Sequence, residues 1–131
     1  MAETPRKVAI TVADIKANAE LSDCHTAHEI WRALPIEGTV STWGDEIYFS
    51  IPVKLGAENA RELVSQGEIG YWPTGTAFCI FFGPTPVSQG AEIRPASPVN
   101  VFGRILGDAT IFRKVAPGAR IRVERVEKTE P

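Results

Sequence analysis

Val8, Ile10 and Val12 alternate with Lys7, Ala9 and Thr11, the period-two pattern of a half-buried strand. Ala13-Asp14 turns the chain into a second alternating run, Ile15-Ala17-Ala19-Leu21, so the first segments predict a hairpin. The period then changes. Ser22 or Asp23 can cap a helix, and Ala27, Ile30, Trp31 and Leu34 recur at helical spacing until Pro35 stops it. Short strands follow. Thr39–Trp43 and Glu46–Ile51 flank the turn Gly44-Asp45, and Glu68–Trp72 and Ala77–Phe82 flank Pro73-Thr74-Gly75-Thr76. Gly83 to Pro98 holds four prolines and two glycines and predicts a long ordered loop. Val99–Leu106 and Ala119–Val126 are the last strands, separated by a short helical turn within Asp108–Val115. Eight strands and one main helix predict a mainly β fold, closed as a barrel or stacked as a sandwich to limit exposed edges.

The run Ala-Phe-Cys-Ile-Phe-Phe from Ala77 to Phe82 is apolar at every position, so both faces of that strand must be covered. One face lines the interior. The other needs a helix, a loop or a ligand above it, and a binding site is expected there.

Composition narrows the class without naming an activity. The chain has 131 residues, 44% hydrophobic and 23% charged, which fits one globular domain spanning 1–131 with its core at about 7–126. Fourteen Lys and Arg against 16 Asp and Glu leave a net charge of −2, so nothing electrostatic favours nucleic acid or an anionic membrane. No apolar run is long enough to cross a bilayer and no signal-like segment opens the chain, so a cytoplasmic location is expected. Cys24 and Cys79 are then expected to stay reduced. The modest charge and exposed strand edges are compatible with a homodimer.

Familiar catalytic and metal patterns are missing. Cys24, His25 and His28 lie close together, but zinc needs three or four ligands and no second cluster accompanies them, so no metal is expected. No serine sits in a Gly-x-Ser-x-Gly turn, and no glycine-rich phosphate loop follows a strand, so no nucleotide or other cofactor is expected. Asp45 and Glu46 are adjacent at a strand start, so their side chains diverge rather than form a catalytic pair. What remains is aromatic and proline-rich: Tyr48, Tyr71, Trp72, Pro73, Phe81 and the Gly83-Pro84-Thr85-Pro86 turn. Such residues beside an ordered loop typically line a pocket for a small molecule or peptide.

The stretch Gly67-Glu-Ile-Gly-Tyr-Trp-Pro-Thr-Gly-Thr-Ala-Phe-Cys-Ile-Phe-Phe-Gly-Pro-Thr-Pro86, followed by Ser97-Pro-Val-Asn-Val-Phe-Gly-Arg-Ile105, resembles a family of small, functionally uncharacterised bacterial and archaeal proteins of cyclophilin-like fold. Trp43-Gly-Asp-Glu-Ile-Tyr-Phe49 and the helix ending Ala33-Leu-Pro35 fit the same family. The resemblance implies a closed eight-stranded cyclophilin-like barrel with one main helix and a short second helical turn.

Likeness to the prolyl isomerases themselves is confined to the scaffold. Their Asn-Gly-Ser-Gln-Phe-Phe-Ile strand resembles Thr74-Gly-Thr-Ala-Phe-Cys-Ile80, which puts Ala77 at the active-site glutamine and Cys79 at the substrate-facing phenylalanine. Their His-Val-Val-Phe-Gly segment resembles Val99-Asn-Val-Phe-Gly103, which puts Val99 at the site histidine. The site tryptophan falls near Arg94, and Asp45 to Val53 has no counterpart of the essential arginine. Twisting an X–Pro amide crosses roughly 18–20 kcal/mol. Each positioned donor is typically worth ~3–4 kcal/mol, so losing arginine and glutamine costs several powers of ten.

The resemblance therefore implies a barrel that binds a small molecule or peptide segment without prolyl isomerase activity. By the matched positions the pocket would involve Trp72, Pro73, Ala77, Cys79, Phe81 and Val99, with Tyr48 and Arg94 at its rim and Arg94 as an anion or carbonyl anchor. The alternatives are a weak isomerase using Arg94 or Arg104, and an accessory module of an amide-cleaving, nucleotide-driven hydrolase.

Overall fold

A computed structural model describes residues 6–126. Strands β1 (Arg6–Val12) and β2 (Ile15–Leu21) form the expected hairpin, in register from Arg6↔Leu21 to Val12↔Ile15. Helix α1 (His25–Ala33) follows, then β3 (Ile36–Thr39), β4 (Ser41–Thr42), β5 (Glu46–Ser50), β6 (Glu68–Trp72), β7 (Ala77–Phe81) and β8 (Asn100–Leu106). A 3₁₀ helix (Ala109–Lys114), capped by Asp108, leads to β9 (Arg120–Arg125). The strands make one antiparallel sheet in the order β3-β9-β1-β2-β8-β6-β7-β5-β4.

The end strands explain how this sheet nearly closes. β3 pairs with β9 from Ile36↔Val123 to Thr39↔Arg120, and β4 pairs with β5 through Ser41↔Tyr48 and Thr42↔Ile47. Between them Val40 still bonds to the β9 side, donating to Ala119 O at 2.9 Å and accepting from Gly118 N at 2.8 Å. The segment is one bent strand that leaves β9 and joins β5. The single strand expected over Thr39–Trp43 is thus corrected to two short pieces, giving nine strands rather than eight, because the segment changes partner midway.

Alternation sorts the side chains. Val8, Ile10, Val12, Ile47, Ile69, Phe78, Ile80, Phe102, Ile121 and Val123 all belong to one buried cluster inside the barrel. Phe49, Phe78 and Phe102 form its aromatic spine, with successive centroids 5.2 Å apart. α1 adds Ala27 and Ile30 to this cluster. Trp31, half-buried, packs against the cluster and is flanked by the guanidinium groups of Arg6 and Arg125 at 5.8 and 4.9 Å.

The start of α1 corrects the expected Ser22 or Asp23 cap. Cys24 is the N-cap and makes no side-chain capping hydrogen bond; its Sγ instead accepts from Ser22 Oγ at 3.2 Å. Glu58 caps the helix from a distant loop, accepting from His25 N at 3.0 Å, Thr26 N at 2.8 Å and Thr26 Oγ1 at 2.6 Å. A carboxylate there satisfies orphan amide donors and complements the positive end of the helix.

Candidate functional site

All five residues of β7 are buried. Phe78 and Ile80 face the barrel interior, whereas Ala77, Cys79 and Phe81 face outward into a second cluster with Val64, Ile93 and Val99. The cover is two irregular segments, 52–67 and 82–99. They are stitched together by antiparallel bridges, Val64↔Ile93 and Arg61↔Val99. Within the second segment Ser88 Oγ accepts from Thr85 N at 2.9 Å and Arg94 N at 3.0 Å, and the Thr85 hydroxyl donates to the Arg94 carbonyl. These bonds make the proline-rich stretch an ordered wall.

Between wall and sheet lies a cavity of about 210 Å³ lined by Trp43, Glu46, Tyr48, Trp72, Cys79, Phe81, Pro95, Ala96 and Val99. Glu46 and Tyr48 lie on the outward face of β5, directly across from Phe81 and Cys79 of β7. β6 presents Gly70 between Cys79 and Val101. A Cβ at Gly70 would lie 2.8 Å from Val99 Cγ2, so the missing side chain lets Val99 close over the strand. Trp72 ends β6, its ring edge-to-face with Tyr48 at 6.4 Å and its indole N–H donating to Ser97 Oγ at 2.5 Å. Gly44, with φ +61°, brings the Trp43 turn against the wall; Asp45 N donates to Pro84 O at 3.0 Å.

Glu46 is the unusual member. It is only 5% exposed, yet its carboxyl borders the cavity beside Cys79, whose thiol donates a long 4.0 Å hydrogen bond to the Ala77 carbonyl. Burial in this apolar setting pushes the carboxyl up to about 7, only partly opposed by the nearby thiol. Burial raises the Cys79 thiol too, and the neighbouring Glu46 charge adds to it. Both cysteines are free, with Cys24 partly exposed and Cys79 buried. Titration of the native protein with a thiol reagent at pH 8 is accordingly expected to modify Cys24 rapidly and Cys79 only on unfolding.

Of the residues singled out from the sequence, Tyr48, Trp72, Cys79, Phe81 and Val99 line the cavity. Ala77 lies beneath them in the outer cluster, and Pro73 sits in the β6–β7 turn outside the lining. Arg94 is directed elsewhere: its Nε donates to Glu92 at 2.8 Å and its Nη1 lies 3.8 Å from Glu62. Arg104 pairs with Glu20 at 3.6 Å on another face. Asp45 and Glu46 do diverge, Asp45 meeting Arg113 at 3.2 Å. His28 meets Asp23 at 2.9 Å and Arg6 at 3.1 Å. Among the described residues, no three His, Cys, Asp or Glu side chains converge on one point.

Sequence reasoning does not place Trp43, Pro95 or Ala96 in the site, and it weighs Glu46 only as half of a catalytic pair with Asp45. A signal for Glu46 was available. It shares parity with Tyr48 on a strand whose intervening residues, Ile47 and Phe49, point inward. The other three are assembled only by the folding of turn and loop.

No functionally curated protein matches the chain. Among solved structures, the solution structure of a hypothetical protein from Archaeoglobus fulgidus aligns with 39% identity and a TM-score of 0.80, covering 96% of this chain and 100% of that one. No helix among the described residues is long and apolar enough to cross a membrane. The family profile described as Cyclophilin-like matches residues 6–124. The nearly closed barrel, its resemblance to the archaeal protein and that match agree: the chain belongs to the cyclophilin-like family.

Proposed function

We propose that this protein is a ligand-binding member of its family, taking a small molecule or a single peptide side chain into the cavity over β5–β7, and that it does not isomerise prolyl bonds. The carrying observation is a preformed apolar cavity with aromatic walls and one buried carboxyl on its floor. Its volume, about 210 Å³, lies below the roughly 300–1,000 Å³ typical of drug-sized sites, which favours a compact ligand. The fixing of Trp72 by Ser97 and of Val99 by Arg61 supports preorganisation, because little ordering entropy remains to be lost on binding.

The same geometry argues against isomerase chemistry. Among the described residues no arginine lines the cavity, and Arg94 and Arg104 are each committed to glutamates. A twisted amide here would meet a carboxyl and a thiol, not a fixed cationic donor. Exchange spectroscopy on an Ala-Pro peptide is expected to show no acceleration of cis–trans exchange. Acceleration abolished by one arginine-to-alanine change would overturn this reading. Trp72→Ala removes one wall and the indole anchor of the loop, and is expected to weaken any ligand that shifts the Trp72 indole signal at least ~tenfold.

A further inference from the structure

The composition of the cavity suggests what it selects. Trp43, Tyr48, Trp72 and Phe81 bring four aromatic rings to one space, and Glu46 is the only ionisable carboxyl among the lining residues. Tyr48 and Trp72 stand edge-to-face, with an interplanar angle of 81°, so the walls meet as a corner rather than a stack. Ring faces attract cations through their quadrupole, and a desolvated carboxylate supplies the counter-charge. Among the described residues Glu46 forms no ion pair with a Lys, Arg or His side chain. Asp45, its neighbour, faces Arg113; Arg94 of the covering loop faces Glu92 and Glu62; Arg61 of the other covering segment faces Glu68 at 3.5 Å. The remaining titratable groups beside Glu46 are the Cys79 thiol of β7 and the Tyr48 phenol of its own strand. Neither can neutralise a carboxylate.

Resting on the ligand-binding reading above, we infer that the cavity is a site for a small organic cation, of the alkylammonium class, caged by Trp43, Tyr48, Trp72 and Phe81 and neutralised by Glu46. An apolar cation suits such a site because it loses little hydration on entry, whereas an ammonium with several N–H groups would leave donors unmatched against rings. Binding favours the ionised carboxyl, so below about pH 7 the proton held by Glu46 passes to solvent as the cation enters.

The test uses a matched pair of probes on the wild-type protein: choline, and its uncharged carbon isostere 3,3-dimethylbutan-1-ol. The readout is the three indole N–H signals in ¹H–¹⁵N spectra, with Trp31, held between Arg6 and Arg125, as an internal reference. Choline is expected to shift Trp43 and Trp72 but not Trp31, and to bind at least ~tenfold tighter than the isostere. Its affinity is expected to fall by up to about tenfold per pH unit below about 7, where free Glu46 becomes protonated, and to level off above it. Glu46→Gln is expected to reduce the preference for the charged probe at least several-fold and to remove its pH dependence, with an otherwise unchanged amide spectrum showing that the variant is folded. Equal binding of both probes, or tighter binding at low pH, would overturn the cation assignment yet leave the ligand-binding reading standing. Shifts from neither probe would also overturn it. A ligand mapped instead to another face would overturn both.

Discussion

Replacing Glu46 by glutamine is expected to stabilise the protein by about 3 kcal/mol at pH 8 and to change little at pH 4. The sign follows from where the proton sits. Burial lifts the Glu46 carboxyl from its ordinary 4.5 to about 7 in the folded state. Below 4.5 both folded and unfolded chains hold the proton, and the buried acid carries no charge. As pH rises from 4.5 towards 7 the unfolded chain releases it first, so unfolding becomes progressively easier. Above 7 both forms are ionised and the whole penalty persists. At ~1.4 kcal/mol per pH unit, the difference amounts to about 3 kcal/mol. Glutamine keeps the shape and carries no charge at any pH. Carboxyls such as Glu58 and Asp108, held low by hydrogen bonds, give the wild-type curve an opposite contribution. The difference between wild type and variant removes them. Denaturant titrations of both proteins at pH 4 and pH 8 make the measurement; an equal difference at the two values would mean that the carboxyl is solvated.

The second large effect is expected at Asn100. This residue is 1% exposed at the start of β8, and its amide joins three segments. Its Oδ1 accepts from Glu58 N at 2.8 Å, and its Nδ2 donates to Gly56 O at 2.9 Å and Thr26 Oγ1 at 3.2 Å. Thr26 and Glu58 are the same pair that caps α1. Asn100→Ala therefore removes the bridge between barrel, helix and covering segment, leaving several buried polar groups without partners. At ~1–3 kcal/mol per unsatisfied group, and with water able to reach some of them, the expected loss is about 3 kcal/mol. For a chain of this size that lowers Tm by roughly 10 °C. Limited proteolysis is expected to show cleavage first within 52–67, since Asn100 ties that segment to β8 and the Arg61↔Val99 bridge lies next to it. Cleavage confined to the chain ends would contradict this role.

Much of the barrel was legible because its strands obey a local rule. Alternation located β1 and β2, the turn Pro73-Thr74-Gly75-Thr76 bounded β6 and β7, and the fully apolar run of β7 by itself required cover on both faces. Where the sequence failed to predict the structure, the determining contacts are distant in the chain. Nothing local shows that Val40 bonds to Ala119 while Ser41 turns to Tyr48. The cap on α1 likewise comes from Glu58, more than thirty residues away, because Cys24 offers no capping oxygen. In the site, strand parity brings Tyr48, Cys79 and Phe81 together, and the same parity includes Glu46. Arg94 matched a functional position by alignment alone; its charge is satisfied by Glu92 two residues earlier, which the folded loop brings alongside.

The central claim, that the space over β5–β7 holds a ligand, is tested most directly by locating a bound molecule. A library of small cationic, neutral and anionic compounds would be screened against labelled protein, and intermolecular NOEs recorded for each binder. The predicted result is contact between ligand protons and the rings of Tyr48, Trp72 and Phe81. Binders in contact only with other surfaces, such as the shallow depression between Glu20 and Arg104, or no binder from any class, would contradict it.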